Sequence, residues 1–371
     1  MRWNKPRIVY IDIRWLFLKV VITALLITAV FAYRNWTRVT LVEFRSDDLN
    51  AVWQINDTGT IRDICRGLKQ SAQGRGNAAG SGIILIRLIS SRETREFTFT
   101  EPGVIYDVQT KRYLKITDPV NRILQQAIME LRRRSPYGEM TGWREVKDRF
   151  PIKGEALITD LDTGTRFSVR RTGGYSHADI EPLAQHDAEM IKKIYGGQWS
   201  WKRRAVVAET NNMKIAASLT GMPQGRGEIT DNGCHGKFDL YFAGDSVEKS
   251  INLSHLVTIW KAAGKTQDKL KGLAPEKSLL VLFTALDQRD LKTLQQIVSI
   301  SEKDKEEINN LIGVTVTDMR RKSGLDYQLT VSVSKHGGPY NCPRRVVLHL
   351  YLDQDKGIYK ANPAFLEKLL S

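Results

Sequence analysis

Residues 155–171 read EALITDLDTGTRFSVRR. Apolar and polar side chains alternate over 155–162 and again over 165–171, with Asp162-Thr163-Gly164 between them. Alternation puts every second side chain on one face of a strand, and a glycine-containing turn between two such runs makes a hairpin. Beyond it the period changes. A helix is expected over 183–195, stopped by Gly196-Gly197. Strands at 204–209 and 214–218, an irregular glycine-rich run over 221–236, a strand at 237–242 and a helix at 253–263 follow. This order predicts a small α+β domain over 148–265.

Both flanks read as α+β too. Over 38–147 the pattern predicts a strand at 39–44 and a helix at 60–71 with Ile61, Ile64, Cys65 and Leu68 on one face. Strands at 83–88, 95–100, 104–108 and 112–116 and a helix at 118–134 complete it. The run GRGNAAGSG (74–82) lacks a lysine and leads from helix to strand. A phosphate-cradling loop needs strand, loop, then helix, so this run reads as a flexible connection. Arg132-Arg133-Arg134 complements the dipole of the helix it ends. After a polar linker at 265–272, helices at 275–287, from 290 and at 303–311 precede strands at 314–320, 327–334, 345–352 and 358–360. These predict a third domain, 273–371, a cone of helices and a curved antiparallel sheet.

The chain has 371 residues, 42% hydrophobic and 26% charged, with a net charge of +15. Such a composition excludes a disordered chain, a collagen-like repeat and a multi-span membrane protein. Cys65, Cys234 and Cys342 are too few for a disulfide scaffold or a zinc ribbon. Residues 15–33, WLFLKVVITALLITAVFAY, carry a single charge, Lys19. As a helix they would rise about 28 Å, close to bilayer thickness. Arg2, Lys5, Arg7 and Arg14 precede them. The expectation is a basic cytoplasmic tail (1–14), a transmembrane signal anchor (15–33) and an extracytoplasmic bulk, single-pass in the cell membrane. A cleaved signal ending at Val30-Phe31-Ala32 is the competing reading. Residues 1–45 carry +6 of the charge, and the remaining +9 suits attraction to an anionic wall or membrane surface rather than nucleic acid.

Unusual residues concentrate in YSHAD (175–179), GMPQGRG (221–227) and NGCHGKFD (232–239). His177, Asp179, Cys234 and His235 are the residue types of a Cys–His nucleophile pair or a zinc site. Cys234 and His235, adjacent on an extended chain, point apart. His177, Asp179, His235 and Asp239 could instead collect around a divalent metal. The plain reading has His177 bonding its own loop and Cys234 filling a core. In WSWKRR (199–204), Trp199 and Trp201 are expected on one face, packed on the hairpin beside a solvated basic edge. The functional version of this run is a strip for a sugar- or phosphate-bearing polymer.

The runs FPIKGEALITDLDTGTRFSVRRTGGYSHADIEPL (150–183), IYGGQWSWKRRAVV (194–207), IAASLTGMPQGRG (215–227) and NGCHGKFDLYF (232–242) together carry a resemblance. They are similar to a domain at the C-terminus of exported, peptidoglycan-associated proteins of Gram-positive, often spore-forming bacteria. In its common form the last two runs read GMPHG and NGFPGHFCIHF. More distantly, this resembles the His and Cys signature of L,D-transpeptidases, whose cysteine takes an acyl group from a peptidoglycan stem peptide. The resemblance puts Gln224 at that His, Asp239 at that Cys, Lys237 and Tyr241 at two flanking His, and Cys234-His235 at Phe-Pro.

It thus implies a degenerate transpeptidase-like scaffold that binds or assembles rather than reacts, with no catalytic residue, cofactor or metal expected. The ligand-binding candidates are His177, Asp179, Gln224, Arg226, Lys237, Asp239, Tyr241, Trp199 and Trp201. An active wall-modifying enzyme, either a transpeptidase or a metal-dependent hydrolase, would have to use His177, Asp179 and Asp239. The implied partners are the cytoplasmic membrane, peptidoglycan or an anionic wall polymer, and an envelope protein, with no nucleic acid. Separately, ALDQRDLKTL (285–294) resembles the opening of domains with the nuclear-transport-factor-2-like fold, which implies an accessory or interaction module.

Overall fold

The computed structural model describes residues 21–28, 38–74, 84–101, 103–244 and 252–371. The chain forms two compact units, divided between Ser135 and Pro136. Of the expected span at 15–33, residues 21–28 form a helix (α1). The rest of it, the tail at 1–14 and residues 75–82 of the glycine-rich run lie outside the described residues. No helix among the described residues is long and apolar enough to cross a membrane. The fold class is therefore corrected to α+β, with no membrane-spanning helix among the described residues. The single-pass location with an extracytoplasmic bulk falls with the span it rested on.

The first unit is a seven-stranded sheet under two helices. Its strands are β1 (Val39–Ser46), β2 (Ala51–Ile55), β3 (Ala72–Gln73), β4 (Ile84–Ser90), β5 (Thr94–Glu101), β6 (Val104–Asp107) and β7 (Arg112–Lys115). They pair in the order β2-β1-β4-β5-β6-β7-β3. One face is polar, and Arg87 crosses it to reach Glu43 at 3.3 Å and Glu96 at 2.9 Å. From the other face Val42, Phe44, Ile86 and Phe97 join one core with α2 (Thr58–Lys69) and α3 (Asp118–Arg134). Asp57 caps α2 by accepting from the Thr60 amide at 2.7 Å. Where the helices meet, a Cβ on Gly67 would stand 2.2 Å from Val120 Cγ2. Valine is stiff at χ1 and cannot swing away. Gly67→Ala is therefore expected to cost about 1–3 kcal/mol in urea denaturation, and an unchanged midpoint would show that the helices part freely.

In the second unit the hairpin of 155–171 becomes two staves of a closed barrel. Its strands are β8 (Glu155–Asp160), β9 (Arg166–Gly173), β10 (Ala178–Pro182), β11 (Ser200–Thr210), β12 (Met213–Gly221) and β13 (Phe238–Phe242). They follow the order β10-β13-β12-β11-β8-β9, antiparallel throughout. The turn works as its residues require: Asp160 accepts from the Thr163 amide at 3.0 Å, and Gly164 takes φ +69°. Six strands leave a narrow lumen, filled by pairing small with large side chains, Ala178, Ala208 and Ala217 among Phe167, Phe238 and Leu240. Helices α4 (Trp143–Arg149) and α5 (Gln185–Ile194) add Val146, Phe150 and Ile191 to this core.

Helix α6 (Leu253–Ala262) serves two cores. Its Ile259 and Ala262 pack on Ala205 and Ala216 of the barrel wall, while Val257 and Trp260 enter the next core. The expected polar linker contains α7 (Thr266–Leu270). Then come α8 (Pro275–Gln288), α9 (Leu291–Ile297), α10 (Glu302–Asn309), β14 (Leu311–Ser323), β15 (Asp326–Lys335), β16 (Cys342–Asp353), β17 (Ile358–Ala361) and α11 (Ala364–Leu370). The four strands pair in sequence order. Tyr327, Leu329, Val331 and Val333 alternate inward to meet Leu279, Leu282 and Phe283 of α8 and Phe365 of α11.

Candidate functional site

The site lies on the outer wall of the barrel, where β10 pairs with β13. Ala178 and Ile180 point into the lumen, so Asp179 points out, and Phe238, Leu240 and Phe242 do the same for Asp239 and Tyr241. Asp179 and Asp239 stand directly opposite each other in the ladder. Like charges so placed repel and need a partner of opposite sign. His177 supplies it, with Nε2 3.1 Å from Asp179 Oδ1 and 3.4 Å from Asp239 Oδ1. Gln224 closes the group by donating from Nε2 to Asp239 Oδ2 at 3.1 Å.

Two devices place His177. The buried Arg171 guanidinium donates to the carbonyls of Phe150 (2.7 Å), Gly173 (3.0 Å) and Gly174 (3.1 Å), and stacks 4.7 Å above the Trp143 ring. Trp143 Nε1 in turn donates to the Tyr175 carbonyl at 2.7 Å. Gly174 sits at φ +94°, and a Cβ there would lie 2.0 Å from the His177 carbonyl oxygen, so the loop closes only on glycine. The run carrying Gln224 is held by Glu181, which is fully buried. Its carboxylate accepts from the amides of Glu228 (2.8 Å) and Ile229 (2.9 Å). Gln224 and Lys237 then exchange two backbone hydrogen bonds at 2.8 Å.

Electrostatics follow from these contacts. The hydrogen bond to Asp239, helped by the charge of Asp179, raises the His177 pKa above its ordinary value despite partial burial. Tyr241 stacks on His177 with centroids 4.6 Å apart, and on its far side meets His255 at 3.9 Å. His255 is buried and shares a 2.9 Å hydrogen bond between Nδ1 and Ser218 Oγ. Burial, then the positive charge of Arg203, pushes its pKa down to about 3, so the ring is neutral. Burial and the neighbouring Asp239 carboxylate raise the Tyr241 phenol.

The other expected residues scatter. Lys237 pairs with Glu228 at 3.0 Å, and Arg226 is exposed. Cys234 is packed in the barrel core, its amide donating to Asn232 Oδ1 at 3.0 Å and its thiol pKa raised by burial. The cluster able to share a metal ion comprises His177, Asp179 and Asp239, whose ligand atoms lie within 4.8 Å of one another, and excludes His235. Trp199 packs on Phe238, whereas Trp201 is 54% exposed. The register of β11 against β12 shifts between Ser200 and Arg203, and this irregularity breaks the alternation that would put both rings on one face.

The basic edge after them is engaged rather than solvated. Lys202 bonds the Asp287 carbonyl and its carboxylate (3.1 Å), the Arg203 amide donates to Gln288 Oε1 at 2.7 Å, and Arg204 grips the buried Asp160 with two hydrogen bonds, at 2.9 and 2.5 Å. Ser218, His255 and Glu181 were not among the expected site residues. Ser218 and His255 sit in runs whose apolar periodicity marks them only as wall positions, and Glu181 sits in a stretch read as loop.

No protein-family model matches this chain, and none of the curated proteins compared with it does either. Chemically, the site offers two carboxylates, one imidazole, one amide and an aromatic face.

Proposed function

We propose that this chain binds peptidoglycan, or a wall polymer of similar chemistry, without cleaving it. The observation that carries this reading is the 3.1 Å hydrogen bond between Gln224 and Asp239. The positions that the resemblance assigns to a catalytic His and Cys lie together, yet hold an amide and a carboxylate. An amide cannot act as general base, and a carboxylate is a poor acyl acceptor beside thiolate. His177 has Ser176 Oγ 3.3 Å from Nδ1, and its Nε2 faces two carboxylates that favour the protonated ring. What remains is recognition: paired carboxylates suit an ammonium group, and Gln224 and Tyr241 suit amides and sugars. A stem peptide on a glycan strand offers all of these.

The test incubates the full chain with purified peptidoglycan sacculi. Co-sedimentation with an unchanged muropeptide profile is expected, and Asp179→Asn with Asp239→Asn should weaken it at least tenfold. Released or newly cross-linked muropeptides would overturn the reading in favour of a wall-modifying enzyme. The 4.8 Å grouping of His177, Asp179 and Asp239 is the observation behind that second reading, in its metal-dependent form. It requires a divalent metal to co-purify at one per chain.

A further inference from the structure

The first unit holds a cavity of about 680 Å³ between α2 and the strands β4–β7. It lies within the roughly 300–1,000 Å³ typical of small-molecule sites. Its origin is architectural, for the sheet has seven strands and the cavity opens between α2 and its middle strands. The floor is apolar, formed by Ile61 and Leu68 of α2 with Phe97 of β5 and Leu114 of β7. The rim is cationic. Arg38, Arg62, Lys69, Arg95 and Arg112 line the cavity against two acids, Glu93 and Asp107.

Asp107 is already committed. Its carboxylate takes Arg95 at 2.5 Å and the amides of Gln109 and Thr110 at 3.1 and 3.3 Å. Arg38, Arg62, Lys69 and Arg112 make no ion pair with an acid among the described residues, whereas Arg87 on the opposite face of the same sheet holds two, Glu43 and Glu96. Four unpaired cations around the cavity repel one another, and Leu68 and Leu114 stay half-exposed above the buried Ile61 and Phe97, so a single ligand with an anionic head and a hydrocarbon tail answers both features.

We propose that this cavity is a binding site for a single-chain anionic amphiphile, its tail on the Phe97–Leu114 floor and its head among Arg38, Arg62, Lys69 and Arg112. The site is independent of the barrel-wall cluster and of the wall-polymer reading.

The probe is tetradecyl phosphate below its critical micelle concentration, titrated calorimetrically into the full chain. Saturable binding at one per chain is expected, with inorganic phosphate and tetradecyltrimethylammonium binding at least tenfold more weakly. The pair Arg62→Glu and Arg112→Glu changes exposed side chains without ion-pair partners, so thermal stability should hold while affinity falls at least tenfold. Equal binding of the ammonium amphiphile would overturn the proposal. So would equal binding of inorganic phosphate, or affinity unchanged by the Arg62/Arg112 reversal.

Discussion

Replacing Glu181 by alanine should lower the unfolding free energy by about 3–5 kcal/mol, because it strips a buried carboxylate from the two backbone amides it holds. Both carboxylate oxygens are used. The Glu228 amide bridges them at 3.0 and 2.8 Å, and the Ile229 amide adds 2.9 Å. A Cβ on Gly227 would lie 2.9 Å from Oε2, so the backbone comes this close only where that residue has no side chain. Glu181→Gln keeps the shape but turns an NH2 group toward donors, and should cost about half as much. The measurement is urea denaturation of both variants against the parent. The run tethered here also carries Gln224, so the alanine variant should lose sacculus binding under conditions where it is still folded. A loss below about 1 kcal/mol would mean that the run is held elsewhere and that Glu181 is incidental to the site.

Glu181 also shows where sequence reading stops. The hairpin around Asp162-Thr163-Gly164 was legible because alternation and turn chemistry are local, and the strands Glu155–Asp160 and Arg166–Gly173 follow from them. Helix Asp118–Arg134 was legible for the same reason, with five apolar residues at helical spacing. Strand Ala178–Pro182 was not, since it carries Asp179 and Glu181 among three small or apolar residues and is held in place by pairing on both sides. Closure of the barrel depends on that one strand, so a closed wall could not be read from neighbours in sequence.

The site divides in the same way. His177, Asp179 and Asp239 were named for their residue types and Gln224 through the resemblance, and the barrel joins the four by close polar contacts. The face shared by Trp199 and Trp201 was misjudged because a register shift is invisible in composition. The span at 15–33 was argued from its apolar length and from the basic residues before it, and no helix among the described residues is long and apolar enough to cross a membrane.

The two histidines that flank Tyr241 should give the protein opposite pH dependences on the two sides of about pH 6.5. His255 has its pKa pushed down to about 3 by burial and by Arg203, against about 6.5 in the unfolded chain. A base whose folded pKa is depressed contributes its stability above the unfolded value and loses it as pH falls toward the folded one. At pH 4.5, two units below the unfolded pKa, the loss from this one ring is about 3 kcal/mol. His177 runs the other way. Its pKa is raised by the hydrogen bond to Asp239 and by Asp179, so its contribution is complete below about pH 6.5 and disappears as pH rises through the elevated value. Unfolding curves at pH 4.5, 6.5 and 8.5 separate the two. His255→Gln keeps a partner for Ser218 and cannot ionise, so its loss between pH 6.5 and 4.5 should be smaller than the parent's by about 3 kcal/mol. The two proteins share every carboxylate, so the difference between them reports His255 and what it touches. Asp239→Asn should instead flatten the alkaline limb, because the amide no longer favours the imidazolium. If His255→Gln and the parent lost the same stability in acid, the ring would have to be hydrated and already chargeable in the fold. The column Ser218–His255–Tyr241–His177 would then be a wet channel into the barrel wall rather than the dry support on which the site rests.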